Sequence, residues 1–179
     1  MILAYNEGCL IFTAVKSTEE IKGVLAEVGV FKGGSAKIIC EAKGRRALHL
    51  FDTFEGMPEV SGYDASYRKG QFKATLGSVK DFLKGYPNVH FHKGVFPENT
   101  KLLRNKKFAF VNLDVDIYES TLNCIKFFYP RMSKGGIIIS HDYNYPEAPG
   151  VKKAFGEFFK GKPEPIIELT GSQCMVMKL

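Results

Sequence analysis

The stretch Ala26-Glu27-Val28-Gly29-Val30-Phe31-Lys32-Gly33-Gly34-Ser35-Ala36-Lys37-Ile38 decides how the rest of the chain is read. Ala26 to Val28 suits a short buried strand. Glycines then bend the chain, and a helix starts near Ser35, which is placed to cap it. Strand, glycine turn and helix N-terminus together make a holder for a nucleotide-like ligand. Dinucleotide sites carry Gly-x-Gly-x-x-Gly. This chain has Glu27-x-Gly29-x-x-x-Gly33-Gly34, which favours a ligand without a pyrophosphate, such as S-adenosylmethionine. An ordinary strand-to-helix turn explains the glycines alone equally well. Glu27 lies inside the strand, where a lone carboxylate is costly unless a polar group meets it.

Downstream, Ala47 to Phe51 is a second buried run that stops at Asp52. Asp52 follows the glycine bend by roughly 20 residues, the distance at which an acid ending the second strand meets ribose hydroxyls. A cap on the following turn is its competing role. Thr53-Phe54 then opens a loop whose aromatic ring suits an adenine pocket. Residues 59–74 hold Gly62, Tyr63, Tyr67, Gly70 and Phe72 with few aliphatics, the composition of a mobile lid. Thr75 or Ser78 caps a helix that runs to Leu83. Val89 to Lys93 alternates as a third strand with His90 and His92 on one face. A metal pair there lacks an acidic third ligand, so surface or half-buried histidines are the plainer reading.

Gly94 to Pro97 turns into a short helix, and Phe108 to Leu113 is a fourth strand ending at Asp114, Val115 and Asp116. A helix from Tyr118 to Tyr129 follows. Gly135-Gly136 leads into a fifth strand, Ile137 to Ser140, which ends at His141-Asp142. A helix from Val151 to Phe159 carries Phe155, Phe158 and Phe159 on its apolar face. Residues 166–177 form a closing hairpin around Gly171-Ser172. Upstream, residues 6–21 are helical, with Leu10, Ile11, Ala14 and Val15 as the apolar stripe. Strands alternating with helices predict an α/β, Rossmann-like sheet of seven mostly parallel strands, helices on both faces and a C-terminal antiparallel hairpin strand. No internal repeat or linker divides the 179 residues, which fit one domain.

Composition narrows the function classes. Apolar residues at 45% and charged residues at 25% fit a globular protein without a membrane span. The opening residues lack the basic region of a signal peptide. Cys9, Cys40, Cys124 and Cys174 are scattered and read as buried free thiols in a reducing cytoplasm. The net charge of +6 gathers at 43–46 and 104–107. Those runs lack interleaved aromatics and read as solvated loop ends, so neither nucleic acid nor a membrane surface is the expected partner.

The chemistry gathers at strand ends. Asp52, Asp114, His141 and Asp142 all stand just past predicted strands, on the edge where open α/β sheets bind ligands. With the fourth and fifth strands adjacent, Asp114, His141 and Asp142 come within reach of one divalent cation. Capping of the helices that follow is the alternative role of the two acids.

Five segments occur in order: Glu27-Val-Gly-Val-Phe-Lys-Gly-Gly-Ser35, Leu50-Phe-Asp-Thr-Phe-Glu-Gly-Met-Pro58, Leu113-Asp-Val-Asp-Ile-Tyr-Glu-Ser-Thr121, Tyr129-Pro-Arg-Met-Ser-Lys-Gly-Gly136 and His141-Asp-Tyr143. From about residue 7 onward the chain resembles the macrocin O-methyltransferase family of class I S-adenosylmethionine-dependent methyltransferases. The resemblance implies methyl transfer from S-adenosylmethionine to a hydroxyl of a small molecule such as a sugar or polyol. It implies that Glu27, Gly29 and Gly33, with Val30 and Ser35 between and beside them, border the methionine part of the cofactor. Asp52, with Thr53 and Phe54 next to it, holds the ribose, and Gly94 and Phe96 neighbour the adenine. Asp114 borders the cofactor and acts as general base, and Asp114, His141 and Asp142 hold magnesium or another divalent cation.

Two departures stand out. The family commonly has Asp-Asp-Tyr where this chain has His141-Asp142-Tyr143. Histidine removes a charge, shifts metal preference toward manganese, iron or zinc, and offers a second candidate base. Family members also commonly carry a longer N-terminal segment that helps cover the acceptor and build a dimer, which leaves the acceptor and a homodimer open. A binding module that keeps the cofactor and has lost metal chemistry through His141 is the competing reading. A nicotinamide-dependent reductase is disfavoured by the glycine spacing and by the lack of a Tyr-x-x-x-Lys pair.

Overall fold

The computed structural model describes residues 3–60 and 62–179, with the side chain of Tyr63 left aside; Ser61, inside the expected lid, lies outside the described residues. Seven strands form one sheet in the order β3-β2-β1-β4-β5-β7-β6. Those strands are β1 (Val24–Val28), β2 (Leu48–Asp52), β3 (Val89–Lys93), β4 (Phe108–Leu113), β5 (Met132–Ser140), β6 (Ile167–Glu168) and β7 (Cys174–Met177). The first five are parallel, and β7 enters antiparallel between β5 and β6. The helices are α1 (Tyr5–Ser17), α2 (Gly34–Ala42), α3 (Leu76–Leu83), α4 (Tyr118–Phe128) and α5 (Pro149–Phe159). The sequence reading of a seven-stranded Rossmann-like sheet with a C-terminal antiparallel hairpin therefore holds.

The central strands explain why. Every residue of β4 is buried, as a strand covered on both faces requires. One core packs on each face: Phe51, Phe108, Phe128, Phe155 and Val111 on one, Ile11, Leu25, Ile39, Leu48 and Phe110 on the other. Each buried Phe of this kind contributes about 2–3 kcal/mol of transfer free energy. The polar exceptions are matched by register. Glu27 of β1 stands opposite Asn112 of β4, and Asn112 Nδ2 donates to Glu27 Oε1 at 2.8 Å. The polar partner that a strand carboxylate needs comes from the neighbouring strand.

Several expectations need correction. β5 begins at Met132, ahead of Ile137, and its pairing with β4 shifts between Phe108 and Phe110. Gly135 and Gly136 lie inside the strand, where the Gly135 amide donates to the Lys178 carbonyl and the Lys178 amide to the Gly136 carbonyl. The cap of α2 is Gly33, held at φ 85°, and Ser35 falls in the first turn. A left-handed cap residue suits glycine, which leaves no role for a serine hydroxyl there. Thr75, not Ser78, caps α3 by accepting from the Ser78 amide at 3.2 Å.

Lys43 and Arg46 are not solvated loop ends. Lys43 Nζ is buried and donates to the carbonyls of Pro87 and Arg46 at 2.6 and 3.0 Å. Arg46 donates to the carbonyls of Thr18 and Val15, both at 2.9 Å, satisfying the C-terminus of α1. Cys40, Cys124 and Cys174 are buried thiols, but Cys9 is exposed.

Candidate active site

The C-terminal ends of β3, β2, β1 and β4 border one cleft of about 850 Å³, measured out to its open mouth. That is within the range of small-molecule sites. Its lining follows the strand order: Gly94, Val95 and Phe96 after β3; Asp52 and Thr53 at the end of β2; Val28 and Gly29 after β1; Asp114, Val115 and Asp116 after β4. Gly29 is required where β1 leaves the sheet: its φ is +84°, and a Cβ there would lie 1.8 Å from the Asp114 carbonyl oxygen. Among the described residues, five of the six non-glycine residues with positive φ stand on this edge or its roof: Phe31, Phe54, Phe72, Asp116 and Asp142. Strained backbone gathers where the rest of the fold over-determines it, and such places are commonly functional.

The roof comes from Gly56, Met57, Pro58, Gln71 and Phe72. The Met57 amide donates to the Gln71 carbonyl at 2.7 Å and the Gly70 amide returns the bond to Met57 at 2.9 Å. Phe72 meets Phe31 edge-on, with centroids 5.9 Å apart. Asp64 Oδ2 accepts from the Tyr118 amide at 3.0 Å, so the expected lid is tied to the N-terminus of α4, whose own cap residue, Ile117, offers no side-chain hydrogen bond.

Of the sequence-predicted cofactor residues, Gly29, Asp52, Thr53, Gly94, Phe96 and Asp114 line the cleft; Glu27, Val30, Gly33, Ser35 and Phe54 lie behind or beside it. Asp52 does more than end a strand. Its Oδ2 accepts from the amides of Val30 and Phe31 at 2.8 and 2.9 Å. Its Oδ1 accepts from the Phe54 amide at 2.6 Å. It both caps its own turn and clamps the glycine loop, which fixes the floor of the cleft. Glu27 is fully buried, its Oε2 has no hydrogen-bond partner, and burial pushes its carboxyl up to about 8 against the pull of Ser35 and Asn112.

Asp114, His141 and Asp142 converge as the sequence anticipated. One donor atom from each lies within 4.8 Å of the others. His141 Nδ1 stands 3.0 Å from Asp142 Oδ1 and 3.6 Å from Asp114 Oδ1. The second Asp142 oxygen, Oδ2, is buried without a partner. Two hard oxygens, an imidazole nitrogen and an unpartnered buried carboxylate oxygen fit a divalent cation. The charges are tightly coupled. Burial lifts the Asp114 carboxyl to about 6, with His141 pulling down and Asp142 pushing up. Burial, Asp114 and Asp142 lift Asp116, the next acid on the loop, to about 8. Burial pulls His141 down, but the Asp142 hydrogen bond and the Asp114 charge outweigh it and raise the ring to about 10.

Sequence reasoning missed Glu7, Asp116 and Ser172. Glu7 of α1 is 4% exposed and reaches His141 Nε2 at 3.1 Å. Burial raises its carboxyl, yet the Ser172 and Ala4 amides and the His141 ring hold it below the usual range. A signal was present: Glu7 is one helical turn before Ile11, so it falls on the apolar stripe of α1.

The sequence model of the macrocin-O-methyltransferase (TylF) family matches residues 11–172. A curated relative, the 8-demethyl-8-(2,3-dimethoxy-alpha-L-rhamnosyl)-tetracenomycin-C 4'-O-methyltransferase of Streptomyces olivaceus, is 31% identical over 170 residues, covering 85% of this chain and 64% of its own. The chain spans about three fifths of the length of the curated relatives it matches. Among solved structures, the O-methyltransferase NovP superposes with a TM-score of 0.82 at 24% identity, covering 96% of this chain and 78% of its own. The calicheamicin methyltransferase CalS11 gives 0.81 at 21% identity, covering 98% and 80%. These two likenesses establish the fold. No helix among the described residues is long and apolar enough to cross a membrane.

Proposed function

Because the chain belongs to the macrocin O-methyltransferase family, we propose that it transfers a methyl group from S-adenosylmethionine to a hydroxyl oxygen of a sugar or sugar-bearing small molecule. The observation that carries this reading is the cleft crossing four strand ends and stopping at Asp114. S-adenosylmethionine supplies an activated methyl on a sulfonium, which leaves as a neutral thioether. Gly94 and Phe96 would flank its adenine. Asp52, Thr53 and Phe54 would hold the ribose, and Gly29, Val30, Gly33, Ser35 and Glu27 would shape the methionine end. The sugar acceptor is inferred from relatives such as the rhamnosyl 4'-O-methyltransferase.

The protein's tasks are alignment and deprotonation. Holding acceptor oxygen, methyl carbon and sulfur in line lowers the barrier by several kcal/mol. Asp114, with its carboxyl near 6, is ionised at pH 7.5 and accepts the hydroxyl proton as the oxygen attacks. His141, its ring raised to about 10, already holds its proton at that pH and does not act as a second base. Asp114, His141 and Asp142 would hold a divalent cation, which when bound polarises the acceptor hydroxyl. Phe72 and Tyr67 close the roof and keep water from the sulfonium. A soluble acceptor in the cytoplasm fits this chemistry better than nucleic acid or a membrane, within one catalytic domain.

Calorimetry with S-adenosylhomocysteine tests the cofactor pocket: binding is expected, and no heat overturns the reading. In an S-adenosylhomocysteine release assay over a panel of rhamnosides, Asp114→Asn should cut turnover by about 10³-fold. Near-wild-type turnover would remove Asp114 as base.

A further inference from the structure

His141 has two ring nitrogens in different company. Nδ1 faces Asp142 and Asp114. Nε2 faces Glu7 Oε2 at 3.1 Å, with Ser172 Oγ at 3.5 Å. Glu7 is itself held from several sides. Its Oε2 accepts from the Ala4 amide at 3.0 Å. Its Oε1 accepts from the Ser172 amide at 3.0 Å and the Ser172 hydroxyl at 2.9 Å. The β6–β7 turn is pressed so closely on this carboxylate that a Cβ on Gly171 would lie 2.7 Å from Oε1. Such a carboxylate has little freedom to turn away from the ring.

We propose that Glu7 is a positioning residue: it keeps the His141 hydrogen on Nε2 and presents the Nδ1 lone pair, with Asp114 and Asp142, to a divalent cation that accepts nitrogen, manganese(II) rather than magnesium(II). The inference rests on the cation-assisted reading above. A carboxylate can only accept, so Glu7 selects the tautomer with hydrogen on Nε2. The Nδ1 corner then faces two acids at 3.0 and 3.6 Å, a place that favours a positive charge, and a divalent cation seated there would displace a proton from Nδ1 and take its lone pair. Magnesium prefers oxygen and water ligands, whereas manganese, iron, cobalt and zinc accept imidazole. A carboxylate behind a ligating histidine fixes the ring and raises its basicity.

The test uses the metal alone on chelator-treated protein, with no cofactor or acceptor present. Isothermal titration should show manganese(II) binding at least tenfold tighter than magnesium(II). Pulsed electron paramagnetic resonance of the manganese form should show coupling to a ¹⁴N nucleus. Glu7→Gln should weaken manganese about tenfold while leaving magnesium within about threefold. His141→Asp should abolish the nitrogen coupling and turn the preference toward magnesium. If Glu7→Gln does not fold, the wild-type preference and the nitrogen coupling still decide. Nitrogen coupling with unchanged affinity in Glu7→Gln overturns the role of Glu7. Equal or tighter magnesium binding without nitrogen coupling overturns the metal preference. If no cation binds, both this inference and metal assistance fall, while the S-adenosylhomocysteine calorimetry still judges methyl transfer separately.

Discussion

His141 and His49 are both buried, 3% and 8% exposed, and they titrate in opposite directions. His141 ends β5 among Asp142, Asp114 and Glu7, and its ring is raised to about 10. His49 lies within β2, level with His90 on β3. Its Nδ1 is 3.0 Å from His92 Nε2, and its ring stacks on His90 with centroids 4.9 Å apart. Burial, then His92 and His90, lower it to about 4. Loss of water acts the same way on both imidazoles, so the neighbours decide the outcome. One end of the sheet has become a corner that attracts positive charge. The other keeps the buried His49 ring neutral at the strand edge.

The comparison breaks most readily at His141. His141→Leu would leave Asp142 and Glu7 buried without their counter-charge and should lower the unfolding free energy by about 3–5 kcal/mol in urea titrations at pH 7. His49→Leu under the same conditions should cost less than about 1 kcal/mol. Equal losses would end the contrast.

A smaller effect sharpens it. Because the folded His49 sits near 4 and the unfolded ring near 6.5, the unfolded chain takes up the proton first as pH falls. His49 therefore contributes stability above 6.5 that is lost on acidification toward 4. Between pH 6.5 and 4.5, wild type should lose about 2 kcal/mol more than His49→Leu.

Glu27, which has burial and nearby acids but no cation, tests the comparison from the acid side. Its folded carboxyl, near 8, keeps its proton while the unfolded one loses it above 4.5. Stability therefore falls as pH rises between these values. Glu27→Gln should raise the unfolding free energy at pH 7.5, by up to about 4 kcal/mol, and flatten that slope. A destabilised variant would mean that the carboxylate is ionised in the fold.

The strand ends were legible because each is an apolar run stopped by an acid or histidine: Phe51 before Asp52, Leu113 before Asp114, Ile139-Ser140 before His141. Parallel strands feed their C-terminal ends to one edge, so convergence followed from the fold class. Glu7 was hidden by distance, since 134 residues separate it from His141 and no local pattern links them. The start of β5 was hidden too, because glycines that read as a turn are taken up by pairing with β7. Lys43 and Arg46 were misjudged as surface charge because a sequence does not show which carbonyls a helix end leaves open.

Glu7 and Ser172 close on the same imidazole from positions 165 residues apart. During translation, the polar shell around His141 is incomplete until residue 172 has emerged from the ribosome. A nascent chain carrying the whole glycine loop and Asp114 still lacks this half of the shell that holds the ring.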